Sequence, residues 1–337
     1  MKYERSQWAL SHTMPAFVGS AQQSCDWRIP SVKGALRYWW RLVVSAQNPQ
    51  WKDHKALLAL EGSLFGQVLA DDRANKSQIR LCFDGRSRPL SSKPWPAQDF
   101  GYVGEGRERA PGDIYLGYGA IQKQRGAKSP TPVKSRWIEP NTNGTVLLQS
   151  PPAAVPEIKL ALAALHHLGG LGNRCRRGWG SAVVLDRAGR EPLPLQQLID
   201  TCGIGLDTAL QREWANGIVT DSEGALIWQT QHHIQNWQDC VKELAPLLKV
   251  VNKDMRQTEQ AGPKGSLATM GGVKPRWPSL LRLKVVNGEQ GLRIRVIFLP
   301  FKMPATTRLK LDHGLCHDLI DFLDQKKSLN RFNAEQH

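Results

Sequence analysis

No apolar run in this 337-residue chain approaches the ~20 residues that cross a bilayer. The opening Met1-Lys2-Tyr3-Glu4-Arg5 lacks the apolar stretch of a signal peptide. A basic amphipathic helix with a free apolar face is also missing, so the expectation is a cytoplasmic protein with no membrane role. The six cysteines (Cys25, Cys82, Cys175, Cys202, Cys240, Cys316) form no Cys-x-x-Cys pair, which argues against a zinc ribbon or a redox dithiol and leaves reduced thiols, several of them in the core. Acids are scarce: 30 Asp and Glu face 45 Lys and Arg, a net charge of +15. Such an excess opposes self-association and favours a polyanion, nucleic acid ahead of an anionic membrane. With 41% hydrophobic and 22% charged residues, disorder as the dominant state is excluded.

What is present reads as alternating strands and helices. Strands are expected over 7–12, 79–84, 114–118, 145–149 and 181–185, with helices over 33–46, where Ser31 suits an N-cap, and 54–64, closed by Gly66. Pro156 suits the first turn of a helix whose apolar stripe, Ile158, Ala161, Leu162, Leu165 and Leu168, ends at Gly169. Residues 84–112 are crowded with Gly, Pro and Arg. The loop 122–136 carries Lys123, Arg125, Lys128, Lys134 and Arg136 and no acid. After Pro192 the pattern restarts: helices over 206–214 and 234–250, a long loop to Pro278, strands over 280–286 and 292–299, and a final helix over 315–326. Strand, helix, two strands, helix, strand is the order of a ferredoxin-like or RRM-like unit. The fold class is therefore α+β, with two such units meeting near Gly189.

Two motifs carry chemistry. In Ser31-Val32-Lys33-Gly34-Ala35-Leu36-Arg37-Tyr38-Trp39-Trp40-Arg41, helical spacing stacks Lys33, Arg37 and Arg41 on one face. Like charges so placed are mildly unfavourable unless something anionic lies against them. Ala35, Leu36, Trp39, Leu42 and Val43 fall on the core side, and Trp40 at the border could stack on a base. From this stretch alone, a solvated basic face beside a core Trp pair explains the pattern slightly better than binding does.

The second motif is Gly169-Gly170-Leu171-Gly172-Asn173-Arg174-Cys175-Arg176-Arg177-Gly178-Trp179-Gly180. Glycines let main-chain N–H groups turn towards a phosphate, the arginines supply bidentate contacts, and Trp179 offers a platform for a base. A dinucleotide fingerprint would need a strand before and a helix after, the reverse of the order here. No Lys-Ser/Thr ending makes it a nucleotide P-loop. Arg177-Gly178-Trp179-Gly180 resembles the opening of an RRM's RNA-contacting strand, although Ser181 and Val184 replace the later aromatics.

These residues also carry a family resemblance. Pro15-Ala16-Phe17-Val18-Gly19, then Arg28-Ile29-Pro30 running into the first motif, then Leu64-Phe65-Gly66, resemble the RAMP superfamily of CRISPR RNA-binding proteins, and within it the subunit-one family of the Cmr (type III-B) effector complexes. Tyr115-Leu116-Gly117-Tyr118-Gly119 and the glycine-rich stretch are similar to that family's mid-chain block and loop, and Pro278-Ser279-Leu280-Leu281 sits where a comparable C-terminal segment would fall. The resemblance implies two tandem ferredoxin-like (RRM-like) RAMP domains with long loop insertions, over 1–189 and 190–337. It implies an RNA-binding subunit of a type III CRISPR ribonucleoprotein effector in antiviral defence, placed near the 3′ end of the guide. Such subunits contact guide CRISPR RNA and target RNA, pack on other RAMP subunits and usually do not cut. Lys33, Arg37, Arg41, Arg174, Arg176 and Arg177 fall in the family's matching motifs and are assigned to the RNA backbone, with Gly170, Gly172 and Asn173 of the loop beside them and Trp40 and Trp179 for stacking.

Weaker constellations remain. Asp26 lies where backbone RAMP subunits carry a metal-assisting aspartate. Only in that alternative, a metal-dependent endoribonuclease cutting target RNA, would a cofactor, Mg²⁺, be needed. His12 could act as a general acid or base but is better explained by an ordinary hydrogen bond. His313, Cys316 and His317 have a spacing that could hold a metal, without visible partner ligands. The pairs His166-His167 and His232-His233 make poor catalysts. Asp318, Asp321 and Asp324 read as a solvated acidic strip.

Overall fold

The computed structural model describes residues 2–19, 25–51, 53–68, 74–84, 95–106, 109–122, 131–132, 137–260, 272–273, 276–277, 279–303 and 313–332. The basic loop residues Lys123, Arg125, Lys128, Lys134 and Arg136, and Pro278, lie outside them. The chain is mixed α and β, with two four-stranded antiparallel sheets.

The first sheet is built from β1 (Glu4–His12), β2 (Arg80–Phe83), β3 (Gly144–Ser150) and β4 (Ala182–Leu185), lying side by side as β4-β1-β3-β2. Between β1 and β2 come helices α1 (Ile29–Gln47) and α2 (His54–Phe65); between β2 and β3 comes a short helix, α3 (Gly112–Gly117); between β3 and β4 comes α4 (Val155–Leu168). Pairing of β1 with both β3 and β4, and of β3 with β2, sets the order fourth, first, third, second. Leu10, Val146, Leu148 and Phe83 share one buried face, and the helices cover that face. α1 lays Val32, Leu36, Trp39 and Val43 against α4, whose Ala161, Ala163 and Ala164 permit a close approach. Gly169, at the end of α4, is part of that fit, since a Cβ there would stand 2.4 Å from Trp39 Nε1.

The second sheet repeats the pattern. β5 (Ile227–Thr230), α6 (Trp237–Gln260), β6 (Leu281–Gly288), β7 (Gly291–Phe298), α7 (His313–Asp324) and β8 (Leu329–Arg331) follow in chain order, and the strands lie as β6-β7-β5-β8. This is the same order read from the other edge. Helix α5 (Leu195–Cys202) leads from the first half to the second and packs on α1 and α4. A small sheet of 203–205, 218–221 and 224–225 follows it.

The two halves share buried groups. Lys284 of β6 is fully buried and donates to the carbonyls of Gly169 (2.5 Å), Ala182 (2.7 Å) and Leu165 (3.4 Å) at the end of α4 and the start of β4. Burial, and next the Arg295 guanidinium, push its pKa well below the ordinary lysine value. Arg295 of β7 donates to His167 O at 3.0 Å and is lowered to about 10 by burial. Both cations meet carbonyls at the C-terminal end of α4, where a helix favours positive charge. Ser181 Oγ accepts from Val285 N, and Thr13 Oγ1 donates to Val285 O. The edge strand β6 is thereby covered instead of left open.

Several expectations are corrected. Residues 114–117 are helical, not a strand, and Tyr118 only bridges to Ile121: Asp113 in the first turn of α3 accepts from Trp95 Nε1 at 3.0 Å, a tertiary tie outweighing the local β-formers. The helix expected over 206–214 is confined to Leu206–Ala209. Strand β5, central in its sheet, was not foreseen, and α1 starts at Ile29, with Pro30 in its first turn and Arg28, not Ser31, at the N-cap position. Among the described residues no helix is long and apolar enough to cross a membrane.

Candidate nucleic-acid interface

The glycine-rich stretch is a tightly tied turn. Leu171 N donates to Gly180 O at 2.9 Å, Asn173 N to Phe17 O at 2.9 Å and Gly180 N to Pro15 O at 2.9 Å, pinning both limbs to the segment after β1. Gly172 (φ +90°) has no room for a side chain, since a Cβ would stand 2.6 Å from Phe17 O. At Gly180 (φ +60°) it would stand 2.0 Å from Leu171 O. These N–H groups, expected to face a phosphate, are spent inside the fold. Gly170 likewise bridges Ser181.

The arginines carry the chemistry instead. Arg174 Nε donates to Tyr118 O at 2.6 Å, one Arg176 Nη to Ser279 O at 2.7 Å and one Arg177 Nη to Tyr115 O at 2.9 Å. A carbonyl neutralises no charge, and each guanidinium has five N–H donors, so Arg176 and Arg177 keep further donors for a ligand. Burial lowers the pKa of Arg176, and Arg282 lowers it further; burial and then Arg174 do the same at Arg177. Partly desolvated cations crowded against one another are stabilised by an arriving anion.

α1 reaches the same place by its first turn. Ser31, with Gly119 and Ala120 on one side and Gly172 and Asn173 on the other, lines a cleft of about 250 Å³. The first turn of α1 contains no acid and no side-chain cap, so the positive end of a 19-residue helix borders this cleft. Farther along, Arg282 lies over the Tyr38 ring at 4.6 Å and is the cation nearest in effect to Arg176, linking the exposed side of α1 to the loop. Gly34 is exposed, and a side chain there would meet nothing within 4 Å.

The cationic stripe is present but partly committed. Lys33 Nζ donates to Ser77 Oγ at 2.6 Å, and burial, then Arg37, lower its pKa. Arg37 Nε pairs with the buried Glu61 of α2, and Arg41 approaches the same carboxylate oxygen at 3.5 Å. Both guanidiniums stay substantially exposed, at 36% and 42%. Glu61 therefore orients them without removing them from solvent.

The two tryptophans are elsewhere than expected. Trp40 and Trp179 are both fully buried. Trp40 packs edge-on against Phe65 and donates to Glu157 at 2.9 Å, while Trp179 sits among Phe17, Trp95 and Trp237. Neither ring has an open face for a base. Among the described residues Tyr118, next to the lining residue Gly119, is an exposed aromatic beside the cleft, 64% exposed and holding Arg174 through its own carbonyl. The sequence signal was Gly117-Tyr118-Gly119, an aromatic between glycines next to a basic loop.

The remaining candidates do not converge. Asp26 is half-buried, its N–H bonded to Val18 O. Among the described residues the three potential metal ligands that come together are His166, His167 and Glu191, and Asp26 is not among them. That trio stands beside Lys284 and Arg295, which help hold His166 down to about 3 after burial, and His167 Nε2 lies 2.7 Å from Leu193 O. With His166 neutral, its 3.5 Å approach to Glu191 is a polar contact rather than an ion pair. His12 is buried against Trp27, out of reach of solvent, and neither ring nitrogen finds a partner among the described residues, in place of the ordinary hydrogen bond expected. Cys316 is buried while His313 and His317 are exposed, and Asp324 is tied to Trp228 and Arg331.

The family model of the RAMP superfamily matches residues 15–183, which span α1, the cleft and the glycine-rich loop. The chain belongs to the RAMP superfamily. Over 169 residues it is 28% identical to the CRISPR system Cmr subunit Cmr1-1 of Pyrococcus furiosus, a stretch covering 49% of this chain and 42% of that relative's length. Its fold is similar to the crystal structure of Cmr1 from Pyrococcus furiosus in the apo form, with a TM-score of 0.50 at 16% identity over 95% of this chain and 96% of the other. It is also similar, with a TM-score of 0.50 at 12% identity, to a chain in a cryo-EM structure of the type III-B Cmr-beta complex bound to cognate target RNA, over 94% of this chain and 98% of that one. The RAMP match thus falls on the segments whose geometry was derived above.

Proposed function

We propose that this RAMP protein is an RNA-binding subunit of a type III CRISPR ribonucleoprotein effector, made of two tandem ferredoxin-like units, over 1–189 and 190–337. In this reading it contacts guide RNA near its 3′ end and target RNA, and docks on other RAMP subunits. The observation that carries it is the shared cleft: Ser31 at the start of α1 and Gly172 and Asn173 of the glycine-rich loop line one place, and the same loop goes on to hold Arg176 and Arg177 against carbonyls just outside that lining. The strand orders of the two sheets support the two-unit reading, and the named relatives support the effector-subunit reading. Phosphates lie against Lys33, Arg37, Arg41, Arg174, Arg176 and Arg177, with Tyr118 in place of the buried tryptophans as the stacking ring.

Binding of single-stranded RNA across a salt series tests it. Six phosphate contacts should give log K a slope of about −4 against log salt, and Lys33→Ala with Arg41→Ala should flatten it by about 1.4. A flat response from the intact chain overturns the reading. The same samples, with Mg²⁺ and a guide–target duplex, examine Asp26: cleavage lost in Asp26→Ala would make the protein a nuclease instead.

A further inference from the structure

The first sheet has a second face, which no helix among the described residues covers. Strand alternation sends Arg5 and Gln7 of β1, Arg80 and Cys82 of β2, and Leu147 and Gln149 of β3 away from the core. The register sets them in rows: Arg80, Gln149 and Arg5 lie across three neighbouring strands, and Cys82, Leu147 and Gln7 form the next row. With Arg187 at the end of β4 they enclose a depression of about 490 Å³ whose ten lining residues include three arginines and no carboxylate. Of the neighbouring acids, Asp186 is taken up by Arg190 and by the N–H groups of 188 and 190, and Glu4 points to the other side of the strand. Asp84 lies on the same side one row beyond Cys82, at the end of β2, outside the depression's lining.

We propose that this open face is a second RNA-binding surface, holding a single strand by its phosphates, separate from the cleft between α1 and the glycine-rich loop. Charge selects the class of ligand: three guanidiniums without a carboxylate suit a polyanion. The amides of Gln7 and Gln149, set among them, offer both donors and acceptors to sugar hydroxyls and base edges. The centre of a protein interface would be apolar and poor in charge, and here Leu147, at 38%, is the single exposed large hydrophobic among the described residues of the face. The two rows hold no aromatic, but Tyr3, two residues before Arg5 and on its side of the chain, lies 5.2 Å from the Arg80 guanidinium and offers one ring. The strand is therefore held chiefly by its phosphates, with one stacking ring at the edge and little sequence preference. The sheet itself separates this face from α1, so an RNA long enough to pass around the first unit engages both surfaces and a short one only the cleft.

The inference rests on the RNA-binding reading but fails separately from it. Arg5→Gln, Arg80→Gln and Arg187→Gln combined, all at exposed positions, should leave thermal stability unchanged. For a long oligouridylate the variant should flatten the salt slope by about 2 and weaken binding roughly tenfold or more; for a short oligouridylate it should change neither. Leu147→Glu, a carboxylate set in the middle of the face, should weaken the long strand in the same way. If both variants bind the long strand like the parent while Arg176→Ala with Arg177→Ala lowers affinity, the second surface is refuted and the cleft stands. If the triple variant binds RNA normally but no longer assembles with neighbouring subunits, the face is a protein contact and the proposal is overturned.

Discussion

Gly34 separates a folding role from a binding role. It sits in the second turn of α1, on the exposed side between Lys33 and Arg37, and a Cβ there would meet nothing within 4 Å. A glycine inside a helix costs about 0.8–1 kcal/mol relative to alanine. Nothing in the fold requires glycine here, since its backbone is helical and its surroundings are open. Gly34→Ala should therefore stabilise the protein by about that amount and raise the melting midpoint by roughly 2–3 °C if the first unit unfolds cooperatively. If an RNA backbone lies against this face, the added methyl holds it off the flanking cations. Losing one charge-assisted contact of about 1.4 kcal/mol lowers affinity roughly tenfold. Scanning calorimetry and an RNA titration on the same sample read the two effects, which have opposite signs, so misfolding cannot imitate the result. A more stable variant with unchanged affinity would show that no strand approaches α1 at Gly34 and would refute the placement.

Removing the Glu61 charge takes the local balance from three cations and one acid to three cations alone. Glu61→Gln should tighten RNA binding at low salt and steepen the salt slope, at a stability cost of about 1 kcal/mol because both arginines are well exposed; weaker binding would mean that Glu61 serves chiefly to aim them. The buried histidines make stability depend on pH. His12 and His166 are held near 3, chiefly by burial, against an unfolded value of 6.5. The unfolded chain binds the protons first, so the contribution is complete above pH 6.5 and drains away as pH falls towards 3, by about 2 kcal/mol for each histidine at pH 5. Urea unfolding at pH 7 and pH 5 checks this: the midpoint should drop on acidification, and His12→Phe should reduce the drop. A drop equal to the parent's in that variant would contradict the assignment.

How much of this could be read from the sequence depended on whether local pattern or distant partners decided each element. α1, α2, α4 and the hairpin of β6 and β7 were legible because periodicity, Gly66 and Pro156 act within a few residues, although α1 begins at Ile29, ahead of the start expected at Ser31. β5 was not, since Ile227, Trp228, Gln229 and Thr230 are all buried and show no alternation. The basic residues of the candidate site stand out by charge and spacing, but the fate of each tryptophan was set far away: Trp40 meets Glu157, 117 residues on. Lys284 and Arg282, alternating with leucine and valine, look like the wet side of a strand. They are buried because the first half of the chain covers that side, an arrangement no local pattern encodes.

The central claim is that the first turn of α1 and the glycine-rich loop hold one and the same RNA strand. Placing the photo-crosslinking residue benzoylphenylalanine at Ser31 in one sample and at Asn173 in another, then mapping the captured nucleotides on guide RNA, tests it directly. Capture of the same or adjacent nucleotides at both positions is the predicted result; capture at well-separated nucleotides, or at only one of the two positions, would contradict it.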